Sequence, residues 1–193
     1  MKTSGRNKEE MSGRTFRPLL AVSCFVVLLV VLAIFQQAGG FGLFTRTGLS
    51  AETDAEYRNS VTAFNTYTED FTKLGNRIEE AAAEEKELSS DFRRDARCDI
   101  QDLNEQAESL QALPLSDDAF LPVLQLQKDM LGTTGEYLDT ADRLLETSDP
   151  ITPEQRARLR EQYEKSAAAS TAVSEAYQEA YEILEQIERE IAN

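Results

Sequence analysis

Cys98 is the residue whose type and place suggest the most specific chemistry. At about 100° per residue it lies opposite the apolar stripe Phe92, Ala96, Ile100, Leu103 and Ala107 of a helical stretch. A thiol placed there faces solvent or another chain. In an exported domain, a lone exposed cysteine points to an intermolecular disulfide. The plainer expectation is a cysteine covered by a neighbouring helix or simply unpaired. Cys24 is the only other cysteine in the sequence, so an all-cysteine metal site is excluded.

The chain contains no histidine. Ser-His-Asp and Cys-His nucleophilic sites are therefore impossible within it, as are histidine-bearing zinc sites and the Glu-x-x-His ligands of di-iron bundles. What remains is carboxylates and tyrosines. Glu79, Glu80, Glu84, Glu85 and Glu87 form one acidic cluster, and Glu182, Glu185, Glu188 and Glu190 another. Acids three and four apart share a helical face and could hold a divalent cation between two such faces. Solvated helix surface explains them more simply, and no Asp-x-Asp-x-Asp-Gly loop marks a calcium site. Tyr163 and Tyr177 fall on an apolar seam, where core packing with the hydroxyls at the edge is expected. No catalytic, cofactor-binding or metal-binding residue is assigned, and no cofactor is implied.

Charge divides the chain unevenly. The 193 residues carry a formal −15. Lys2, Arg6, Lys8, Arg14 and Arg17 outweigh Glu9 and Glu10 by three before Pro18, which leaves −18 on the remainder. So acidic a body repels phosphate backbones, and no nucleic-acid partner is expected.

Between these two parts stands an uncharged run, Leu19 to Phe35. Pro18 through Ala38 matches the ~20 residues a helix needs to cross a bilayer, and exceeds the about 7–15 of a secretory core. A single-pass signal-anchor at 18–38 is expected, with a basic cytoplasmic tail at 1–17 and the acidic part outside the plasma membrane. The small residues Ala38 and Gly40 also suit cleavage before Phe41. Cys24 sits too near the start of the run for a lipidation site.

A glycine-bearing linker, 39–52, leads into an all-α body at 53–193. Thr53-Asp54-Ala55-Glu56 reads as a capping box. Tyr57, Val61, Phe64, Phe71, Leu74 and Ile78 then recur at helical spacing, continuing through Leu88 to Leu110. As one helix, Asp54 to Leu113 would run about 90 Å. A turn at Leu88-Ser89-Ser90-Asp91 would fold it back. Four antiparallel helices are favoured over three with a long stalk, because Tyr57, Phe64, Tyr67 and Phe71 need cover.

A further helix spans about Asp118 to Thr147, with a kink expected at Gly132 and Gly135. The last begins at the capping box Thr152-Pro153-Glu154-Gln155. It keeps alternating steps of four and three through Leu159, Tyr163, Ser166, Ser170, Val173, Tyr177, Ala180, Leu184, Ile187 and Ile191. That is a coiled-coil or bundle seam.

The layout resembles small bacterial division proteins with one span and an outer coiled coil. It also resembles the helical outer domain of chemotaxis-type sensors. No motif carries either resemblance, and no family is assigned. The function expected is that of a membrane-tethered helical interaction protein with a protein partner or a second copy of itself. The alternative is a ligand- or cation-binding bundle serving a separate receptor.

Overall fold

The computed structural model describes residues 51–84 and 86–191, without the side chains of 188 and 191. The expected basic tail, membrane span and Phe41 cleavage point, and nearly all of the linker, lie outside the described residues. Among the described residues no helix is long and apolar enough to cross a membrane.

Four helices make up the body: α1 (Ala51–Ala83), α2 (Ser90–Gln111), α3 (Leu121–Leu145) and α4 (Pro153–Ile191). A 3-10 turn, Asp118–Phe120, leads into α3, and the described residues include no strand. All lie within the unit Gly48–Asn193. The chain does fold back between α1 and α2. Ser89 caps α2, its side chain accepting from the Phe92 N–H at 3.2 Å. The Leu88 N–H donates to the Ser148 carbonyl at 3.0 Å, which ties this turn to the one between α3 and α4.

One local expectation needs correction. Helix α1 already runs at Ala51, so Thr53 is not its cap. The Glu56 carboxylate is instead taken up by the Ser116 N–H at 3.0 Å and hydroxyl at 2.8 Å, which fixes the loop before α3 against α1. Helix α3 continues without interruption through Gly132 and Gly135. The capping box of α4 forms as read. The Thr152 N–H donates to Gln155 Oε1 at 2.8 Å, and the Gln155 N–H donates to Thr152 Oγ1 at 3.3 Å.

Cross-links fix the directions. Arg77 meets Asp99 while Gln106 meets Asp70, so α1 and α2 are antiparallel. Arg97 meets Asp142 and Gln127 meets the Leu110 carbonyl, so α2 and α3 are too. Tyr177 reaches Gln127 while Gln162 reaches the Glu136 carbonyl, which sets α4 antiparallel to α3. Arg160 pairs with Glu79 and Tyr177 with Ser60, which returns α4 antiparallel to α1. The result is an up-down-up-down four-helix bundle.

The core follows the apolar spacing. Phe64, Phe71, Leu74 and Ile78 of α1 are buried, with Ala96, Ile100, Leu103 and Leu110 of α2. The α4 seam is buried at Leu159, Val173, Tyr177, Ala180 and Leu184, then fails at Ile187, which is 46% exposed. The register explains the failure. Tyr177 lies level with Gln127, so Ile187 falls level with the loop before α3.

Candidate functional site

The interior of the bundle is occupied by side chains. Phe71 stacks on Tyr163 at 5.4 Å between ring centroids and meets Tyr137 edge-on at 5.2 Å. The Tyr163 ring lies so close to Gly75 that a Cβ there would stand 2.5 Å from its Cε2 atom. A second aromatic group, Tyr57, Phe64, Phe120, Tyr177 and Tyr181, fills the other end.

Tyr177 departs from the expectation of a hydroxyl at the edge. It is fully buried, and its hydroxyl is internal. That hydroxyl donates to Gln127 Oε1 at 3.1 Å, which leaves Ser60 to donate to the Tyr177 oxygen. Gln127 in turn donates to the Leu110 carbonyl at 3.0 Å. Each polar group in this chain of bonds is thereby satisfied, which is the condition for tolerating polar atoms in a core. Burial pushes Tyr57 and Tyr67 up to about 12 and raises Tyr137 and Tyr177 as well. These phenols therefore stay neutral at ordinary pH.

The outer side of the α2–α3 flank is different. The apolar stripe of α2 points inward, so the residues between its turns line an open groove of about 620 Å³. Arg93, Arg94, Arg97 and Cys98 line it from α2, and Asp142 and Leu145 from α3. Cys98 is exposed and free, as its position opposite the apolar stripe implied. Gln101 and Asn104 continue the lining along the helix.

The three arginines are not equivalent. Arg97 grips Asp142 with two nitrogens, at 2.7 and 3.4 Å, and that carboxylate, with Glu146 acting at longer range, raises its pKa further. Arg94 donates to Asp95 at 3.0 and 3.1 Å and approaches Asp91 at 3.4 Å. Arg93 has no carboxylate partner among the described residues. One of its terminal nitrogens reaches the Glu146 carbonyl at the end of α3, at a long 3.4 Å, and its Nε is shielded from solvent with no acceptor.

The acidic clusters come to less. Among the described residues no group of three or more acidic or thiol side chains is placed to hold a metal ion. Glu79 is engaged by Arg160, and Glu185 by Arg189. Glu85 and the side chain of Glu188 lie outside the described residues. Leu121, Ile183 and Ile187 are exposed large apolar side chains, and Ile183 and Ile187 lie near the end of α4.

The arginines were missed in the sequence because acids outnumber them and Cys98 drew attention to its own type. Their spacing of three and four, in register with Cys98, was the available signal. Comparison with known proteins finds no matching family, no matching curated protein and no matching solved structure.

Proposed function

We propose that this chain is a membrane-tethered helical interaction protein, an adaptor, scaffold or assembly factor working on the outer face of the membrane. Residues 1–17 form its cytoplasmic tail and 18–38 its signal-anchor, and the linker that follows gives way at Ala51 to its acidic working domain. It acts by contact and not by catalysis.

The observation that carries the proposal is the contrast between a core filled by aromatic rings and an open, arginine-lined groove on one flank. A ligand-binding bundle would place its pocket between the helices, with most of the ligand buried. Here that space is taken by Phe71, Tyr137, Tyr163 and Tyr177. The basic flank before the uncharged run supports the orientation.

Cross-linking of intact cells, gentle solubilisation and recovery through a C-terminal tag tests the proposal. A stoichiometric partner is expected, and the same experiment reveals a second copy of the chain. Recovery of the uncross-linked protein alone, together with a rise in melting temperature on addition of a small ligand or metal ion, would replace contact with ligand binding. Orientation is tested separately. A membrane-impermeant maleimide is expected to label Ala168→Cys, on the exposed face of α4 and in a Cys98→Ser background, on intact cells. Labelling only after lysis would place the bundle inside, and an intact mass beginning at Phe41 would replace the anchor with a cleaved leader.

A further inference from the structure

We infer that the α2–α3 groove is the docking site for an acidic segment of a partner protein, with Arg93 as the cation that receives a partner carboxylate. The inference rests on the reading of the chain as an interaction protein, and assigns that role to one surface.

Charge is the first support. The chain beyond Pro18 carries −18, yet this groove presents three guanidinium groups against one lining carboxylate, Asp142. Asp142 is occupied by Arg97, while Asp91 and Asp95 are occupied by Arg94. Arg93 is left over, with no carboxylate on it among the described residues. A guanidinium offers a planar fork that matches a carboxylate with two parallel hydrogen bonds. With Nε shielded from solvent and one terminal nitrogen on a backbone carbonyl at 3.4 Å, the other terminal nitrogen is the donor left for a partner carboxylate. Arg93 and Arg94 also stand in the first turns of α2, where the helix dipole adds positive potential.

Shape decides between a small anion and a segment. The lining runs from Ser90 to Asn104, about 21 Å along α2 at 1.5 Å per residue. The groove is open along that length, whereas small-molecule sites enclose most of their ligand. Its lining alternates charge with Gln101 and Asn104 amides and the apolar edges of Ile100 and Leu145. That mixture suits an extended acidic segment carrying an occasional apolar side chain. The remaining negative charge of the bundle does not forbid this, because at physiological salt screening sets in over about 8 Å.

Cys98 supplies a reporter inside the groove. The experiment uses full-length protein in detergent micelles, with Cys24→Ala so that one thiol reacts, and hexaglutamate as the probe. Bound hexaglutamate is expected to protect Cys98 from a neutral alkylating reagent. Arg93→Gln is expected to weaken that protection by about tenfold in peptide concentration, the loss of one charge-assisted hydrogen bond. Arg93→Lys recovers part of it. Arg158→Gln, which removes an exposed cation on α4, leaves it unchanged.

Equal loss from Arg93→Gln and Arg158→Gln would mean diffuse attraction and overturn the site. Displacement of the peptide by inorganic phosphate at matched ionic strength would make it a small-anion site and overturn the segment. No protection at all also overturns it. A partner captured equally by wild type and Arg93→Gln would refute the groove while leaving the interaction protein standing. Protection without any cellular partner would do the reverse.

Discussion

The α1–α4 flank and the α2–α3 flank of this bundle solve the same packing problem with different materials. Between α1 and α4 the buried contacts are mainly rings, with the Arg160–Glu79 ion pair beside them. Tyr163 lies on Phe71 and against Gly75, Tyr177 on Phe64, and Tyr181 on Tyr57. Between α2 and α3 the outer contacts are charged, with Arg97 on Asp142 and Arg93 at the Glu146 carbonyl. Ring packing excludes water and stores stability in complementary shape. Exposed ion pairs store little, typically below about 1 kcal/mol, and can exchange partners at small cost. The outer ion pairs of the second flank therefore add little to stability, and its buried Ile100, Leu103 and Leu110 do its packing.

Alkaline pH should attack the first flank hardest. The folded-state values of Tyr57 and Tyr67 lie near 12, above the ordinary 10.0 of an unfolded chain. Between those values the unfolded state has lost protons that the folded state keeps, so stability falls as pH rises. The stabilisation is whole below pH 10 and drains away through 12. Tyr137 and Tyr177 act in the same direction. Cooperative loss of helix together with tyrosinate absorbance is expected. Independent, gradual ionisation of exposed phenols would break the comparison.

Tyr177→Ala should cost about 4 kcal/mol in urea unfolding, the usual penalty for truncating a buried ring. Tyr177→Phe keeps the ring and strands Ser60 and Gln127, for about 1–3 kcal/mol. Glycines give a sharper contrast. Gly75→Ala drives a methyl group into the Tyr163 ring and should destabilise by about 1–3 kcal/mol. Gly132→Ala meets nothing within 4 Å and should stabilise α3 by about 0.5–1 kcal/mol. Like signs for the two would contradict the packing described. Smallest of all, Arg93→Gln should move stability by no more than about 0.5 kcal/mol, as expected for a surface site.

Most of the fold was legible because helical periodicity is a local signal. The α4 seam announced its own burial from Leu159 to Leu184, Leu88–Asp91 marked the turn into α2, and the Thr152 box marked the start of α4. Ile187 misled because a seam does not say where its partners end. That depends on the register set by α1 and α3. The buried polar residues were hidden for a related reason. Ser60, Gln127 and Thr134 look like surface residues until Tyr177, Leu110 and Met130 supply their bonds. Gly75 gave no sign of its role, since its use depends on a ring eighty-eight positions away. The groove stood halfway between. Cys98 was placed on the exposed face from spacing alone, but the lack of a carboxylate on Arg93 depends on α3, which brings Asp142 to Arg97 and only a carbonyl to Arg93.

The central claim is that the α2–α3 flank is the contact surface of the molecule. A photo-cross-linking amino acid placed at Gln101, in the groove, and separately at Ala168, on the outer face of α4, tests it most directly in intact cells. Specific adducts from position 101 and none from position 168 are the expected result. Adducts from position 168 alone, or equally from both, would contradict the account.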